Sequence, residues 1–177
     1  MNIAVFCSAN DNIDAEYFKR TEELGKRLAE GGHTLVFGGC KSGLMQCVAK
    51  AVKEAGGTTV GVIPTIIEQG RRQSEYVDVE IPCEDLTMRK AIMMERSDVF
   101  IALPGGIGTI DEVFSVAASA TIGYHHKRVI MYNIGGFWNE LKHTMEVLSE
   151  RGFMRGDYTK YITFTDELED VLEKLRN

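Results

Sequence analysis

Short, largely apolar runs near residues 2–7, 33–37, 58–63, 98–103, 128–132 and 161–164 alternate with longer stretches of helical periodicity, and few folds accommodate that order. Strands that are continuously apolar are buried on both faces, as in parallel sheets covered by helices. Residues 76–81 differ, because Asp78 and Glu80 alternate with Val77, Val79 and Ile81, which predicts a strand exposed on one face and suited to an edge. Helices are expected from about Asp14 to Glu30, Gly43 to Ala55, Glu84 to Ser97, Thr109 to Ile122 and Gly135 to Glu150. A terminal helix carries Leu168, Val171, Leu172 and Leu175, with Thr165 or Asp166 as its cap. The pattern predicts an α/β fold, a doubly wound, mostly parallel sheet with helices on both faces and right-handed crossovers. Residues 1–177 are expected to form a single domain.

Ligands of such sheets sit beyond the carboxyl ends of the strands. Three unusual stretches fall there: Ser8 to Asn12, Gly38 to Gly43, and Pro104 to Glu112. In the third, Gly105, Gly106 and Gly108 can take backbone angles closed to other residues and let an anion approach the main chain. A helix beginning near Thr109 would aim its free N–H groups at that anion. These are the makings of a phosphate site, and the three loops are expected to converge on it.

Gly38, Gly39 and Gly43 form neither the GxGxxG of a dinucleotide site nor a P-loop, because no Lys-Ser or Lys-Thr pair follows Gly43. They can equally serve as tight strand-to-helix turns. Glu112 has two readings. Thr109 to Glu112 matches a capping box, in which the carboxylate returns to the backbone of the cap residue. Alternatively the carboxylate faces an uncharged part of the ligand, such as the ribose of a ribose phosphate, one helical turn from the phosphate. Arg89 and Lys90 point roughly 100° apart on a helix and cannot share one role. Arg89 shares a stripe with Met93 and Arg96, consistent with a half-buried guanidinium able to hold a carboxylate ionised, whereas Lys90 suits a solvated face.

Composition narrows the classes of partner. A net charge of −6 with a pI near 5.3 argues against a general nucleic-acid or membrane-surface binder. No run approaches the roughly 20 apolar residues of a membrane span, and the first residues enter a strand without a basic leader, so a cytoplasmic location is expected. Cys7, Cys40, Cys47 and Cys83 lack CxxC pairing, and the four histidines lack HExxH spacing, so neither a metal site nor a disulfide frame is indicated.

Pro104 to Glu112 matches PGGxGTxxE, and Met88, Arg89, Lys90 resembles the Arg-Lys motif that precedes it, in the LOG family of cytokinin-activating nucleotide phosphoribohydrolases. The resemblance runs from Val5–Ser8 through Gly38, Gly39 and Gly43–Met45 to Gly123–Lys127. Members have often carried the label lysine decarboxylase, but no marker of a pyridoxal phosphate site is present. The resemblance implies a Rossmann-like homodimer that needs no cofactor and hydrolyses the N-glycosidic bond of a nucleoside 5'-monophosphate. Arg89 and Glu112 match the catalytic pair, while Lys90 and Gly105, Gly106, Ile107, Gly108 and Thr109 match substrate-binding positions. Ser8, Gly38, Gly39 and Gly43 are further candidates for binding. Cys40 and Gln46 replace glycines usual in the second loop, and Ala9 and Asn10 replace a serine-rich first turn, departures that bear on base preference. The alternative is a non-catalytic carrier of a nucleotide or pterin-type ligand on the same fold. Helix packing through Ala117, Ala118, Ser119 and Ala120 would suit a dimer or the core of one chain.

Overall fold

A computed structural model describes residues 1–66, 70 and 72–176. Seven strands form one sheet: β1 (Asn2–Phe6), β2 (Thr34–Phe37), β3 (Thr58–Pro64), β4 (Val79–Cys83), β5 (Val99–Ala102), β6 (Val129–Tyr132) and β7 (Ile162–Thr165). They lie in the order β4-β3-β2-β1-β5-β6-β7, with every neighbouring pair parallel. The helices are α1 (Ala15–Glu30), α2 (Gly43–Glu54), α3 (Leu86–Arg96), α4 (Ile107–Thr121), α5 (Asn139–Glu150) and α6 (Leu168–Arg176).

Side chains alternate across each strand, so each strand feeds two cores. Ile3, Val5, Leu35, Phe37 and Ile101 pack with Leu24 and Leu28 of α1, Leu44 and Val48 of α2, and Val171 of α6. Ala4, Phe6, Val36, Phe100 and Ala102 pack on the other face with Met93 of α3, Val113 and Val116 of α4, and Met145 of α5. The doubly wound expectation holds. Because β1 is flanked by β2 on one side and β5 on the other, the chain leaves β1 toward one face and β5 toward the other. That divergence opens a crevice at their carboxyl ends.

The exposed strand is an edge, as its alternation predicts, but it starts later, at Val79. Tyr76 and Asp78 are turned instead onto β3: Thr59 Oγ1 donates to the Tyr76 carbonyl at 2.5 Å, and the Asp78 carboxylate accepts from the Thr59 backbone at 2.9 Å and from Lys53 at 2.6 Å. Pro82 is tolerated in β4 because one side of an edge strand needs no ladder donor. Gly135 and Gly136 lie in a short 3-10 turn, with the α-helix itself starting at Asn139. Ala117 and Ala120 are buried in the core while Ala118 is exposed, so the small-residue run is shared between interior and surface. Among the described residues no helix is long and apolar enough to cross a membrane. Arg71, which the sequence places in a polar loop after Pro64, lies outside the described residues.

Candidate functional site

The three loops do converge. Ser8 donates its backbone N–H to the Pro104 carbonyl at 3.0 Å, tying the first loop to the third. Leu44 N–H donates to the Ser8 carbonyl at 2.9 Å, and Gly43 N–H donates to Asp11 Oδ1 at 2.7 Å, tying the first loop to the second. Gly43 makes this approach feasible: its φ is +59°, and a Cβ there would lie 2.5 Å from the Ala9 carbonyl carbon.

Between the loops lies a cleft of about 490 Å³ lined by Cys7, Ser8, Ala9, Asn10, Met45, Arg89, Gly106, Gly108, Thr109 and Glu112. Gly106 caps α4, and the first helical bond runs from Ile110 N–H to the Gly106 carbonyl, leaving the earlier amides of the turn free. Gly105, Gly106 and Gly108 do not use left-handed backbone angles, contrary to the expectation from sequence. Gly105 is needed for close approach, since a Cβ there would lie 2.1 Å from Thr109 Oγ1. Gly106 and Gly108 face open space, so side chains there would enter the region before the free amides.

The helix begins at Ile107 rather than Thr109, which removes the capping-box reading of Glu112. Thr109 is already inside the first turn, and the Glu112 carboxylate turns to α3, where Oε1 accepts from Arg89 Nη2 at 2.5 Å. Glu112 is only 3% exposed. Burial pushes its carboxyl above the ordinary carboxylate range, with the Arg89 guanidinium opposing that rise. Arg89 is half-enclosed, as its stripe with the buried Met93 predicts, and Arg96 of the same stripe is exposed. The guanidinium lies over Gly38, whose Cβ, if present, would be 3.0 Å from Arg89 Nη1. Burial also raises the Cys7 thiol well above its usual range, and the nearby Glu112 charge adds to the effect.

The other candidates divide by position. Ser8, Gly106, Gly108 and Thr109 line the cleft, while Gly38 borders it through Arg89. Gly39 packs on Ile63 at a φ of +71°, and Gly43 clasps the first loop, so both act in the turn. Ile107 is 89% exposed at the start of α4. Lys90 is engaged outside the cleft lining, with Nζ 2.8 Å from both carboxylate oxygens of Asp111. Cys7, Ala9, Asn10 and Met45 complete the lining. Their signal was positional, since all follow from the loops that end β1 and open α2. Among the described residues no three His, Cys, Asp or Glu side chains cluster as a metal site.

Comparison with known proteins places this geometry in a family. A family model described as "Possible lysine decarboxylase" matches residues 45–175. A cytokinin riboside 5'-monophosphate phosphoribohydrolase of Mycobacterium tuberculosis is 34% identical over 170 residues, covering 96% of this chain and 90% of the relative. One from Arabidopsis thaliana is 33% identical over 173 residues, covering 98% of this chain and 80% of the relative. The solved molybdenum cofactor carrier protein of Chlamydomonas reinhardtii superposes with a TM-score of 0.76 at 25% identity, covering 99% of this chain and 95% of that one. With a family model matched across most of its length and relatives one-third identical along nearly all of it, the chain belongs to the LOG family, the cytokinin riboside 5'-monophosphate phosphoribohydrolases and their kin.

Proposed function

We propose that the chain hydrolyses the N-glycosidic bond of a nucleoside 5'-monophosphate, with an adenine or cytokinin-type base, to free base and ribose 5-phosphate. The observation that carries this is the contact of half-enclosed Arg89 with buried Glu112 on the floor of a cleft whose other wall is the free amide end of α4. Gly106 and Glu112 are six residues apart on α4, roughly 9 Å along its axis. Phosphate on the first amides therefore leaves the sugar of the same molecule near the carboxylate.

Cleavage builds positive charge on the ribose as the C1'–N bond breaks and the base leaves with the bonding electron pair. The Glu112 anion stabilises that charge and orients the water whose oxygen bonds to C1'. A water proton ultimately goes to the base. The Arg89 guanidinium keeps Glu112 available as an anion despite its burial. Grip on the distant phosphate by Gly105, Gly106, Ile107, Gly108 and Thr109 holds the sugar in place. Ser8 lines the opposite wall, Gly38 leaves room for Arg89, Gly39 and Gly43 hold the turn that supports the first loop, and Lys90 acts from the rim through Asp111. The active form is a homodimer in the cytoplasm, acting as one domain. Ile107, Phe114, Ile122 and Tyr124, exposed on α4 and just after it, supply apolar surface for the dimer contact.

The test is chromatographic detection of free base from AMP, isopentenyl-AMP and a panel of other monophosphates. Wild type should release base, and Glu112→Gln should lower turnover at least a hundredfold, on the order expected for an electrostatic group at the reacting centre. No release by wild type from any nucleotide overturns the proposal. The likeness to a molybdenum cofactor carrier supports a second reading, a non-catalytic carrier of a nucleotide or pterin-type ligand. It predicts saturable binding without turnover that survives Glu112→Gln.

A further inference from the structure

α3 carries Arg89 yet commits only Met93 fully to the core, so its position depends heavily on its ends. At the amino end Asp85 Oδ1 accepts from Met88 N–H at 2.8 Å. At the carboxyl end Asn2 Nδ2 donates to the Arg96 carbonyl at 2.9 Å, and Lys127 Nζ reaches two more carbonyls, Met94 at 2.5 Å and Glu95 at 3.4 Å. A cation there satisfies acceptors that have no partner within the helix and complements the negative end of its dipole.

Lys127 is delivered by the segment that leaves α4. Gly123, at a φ of +85°, turns the chain after the helix, with its N–H on the Ala120 carbonyl and the Tyr124 N–H on the Ser119 carbonyl. The Lys127 backbone N–H then donates to His125 Nδ1 at 3.1 Å before β6 begins at Val129. One continuous stretch therefore bears Glu112 and grips the end of the helix bearing Arg89. The guanidinium has little else to aim it: Nη2 meets Glu112, and Nε is buried without a partner among the described residues.

We propose that Lys127 is a positioning residue, which holds Arg89 against Glu112 by fixing the carboxyl end of α3. Its kinetic consequence rests on the phosphoribohydrolase reading, and its structural consequence does not. Glu112 is faced by Arg89 and Lys90 from α3, by Asp111 from its own helix and by Cys7 from the end of β1; both cations ride on α3, but Arg89 is the one that touches Glu112, while Lys90 is held by Asp111. Slack in α3 therefore removes the influence that restrains the rise of the Glu112 carboxyl.

The experiment compares wild type, Lys127→Met and Lys127→Arg by crystallography and by base release from AMP across pH. Lys127→Met should lose the contact between Arg89 Nη2 and Glu112 Oε1, lower kcat roughly tenfold and leave KM within about twofold. The acidic limb of its pH–rate profile should move upward. Lys127→Arg, whose fork reaches the same carbonyls, should restore both contact and kcat. If Lys127→Met does not fold, Lys127→Gln is read by the same measures. Retention of the contact overturns the proposal, as does an unchanged kcat beside a lowered melting temperature. Should wild type release no base from any nucleotide, the proposed function falls, and the crystallographic contact alone decides for or against positioning.

Discussion

Glu112 sits where burial disfavours its charge. Its carboxyl titrates above the ordinary value of 4.5, so the folded chain holds that proton more tightly than the unfolded chain does. The contribution of Glu112 to stability is full below the unfolded-state value and is lost as pH rises through the higher folded-state value. In the proposed mechanism turnover requires the anion, and the rate should climb over that same window. Melting temperatures of wild type minus Glu112→Gln should fall with rising pH while the wild-type rate increases. A flat difference, with the acidic limb near the usual carboxylate value of about 4, would contradict this. The residues of this pair were visible in sequence through motif and stripe. The capping-box alternative could not be dismissed there, because a shift of two residues in the helix start decides it. The glycines were legible as a cluster but not in their reasons. Gly105 answers to the Thr109 side chain four residues on, a contact set by how tightly the turn closes, which composition does not encode.

At the scale of elements, the loops carry more of the site than the helices do. Gly43 should be intolerant of substitution for two separable reasons, its left-handed backbone and its contact with the first loop. Gly32 offers a control, with a φ of +68° and nothing within 4 Å of a Cβ. Gly32→Ala should cost about 1 kcal/mol from backbone strain alone. Gly43→Ala should cost about 2–3 kcal/mol and raise KM by displacing Ser8 and Ala9. Urea unfolding of the two variants separates strain from clash, and equal losses would show that the loop contact is dispensable. Strand and helix order followed from periodicity because the sheet is covered on both faces. Residues 76–78 broke the pattern because Thr59 and Asp78 make a side-chain pin to β3 that no local window reveals.

For the whole molecule, sequence could give the parallel sheet but not the order of its strands, since neighbours are set by where each crossover packs. The β1–β5 adjacency that creates the crevice belongs to that part. Assembly is a property of the same scale. Ala118 is exposed on α4 near Phe114, so Ala118→Glu should convert a dimer to a monomer in sedimentation at micromolar concentration. A wild type that sediments as a monomer over that range would remove the dimer. The bonds that gather the loops have a wider consequence. Ser8 to Pro104 and Leu44 to Ser8 are main-chain bonds, indifferent to which side chains those positions bear. Ser8 and Asn10 also brace the first loop with their side chains, and Met45 belongs to the core, whereas Ala9 has no such duty: substitution at Ala9 can retune the occupant without rebuilding the vessel. Lineages that share this frame are thus free to diverge in cargo while remaining superposable in outline.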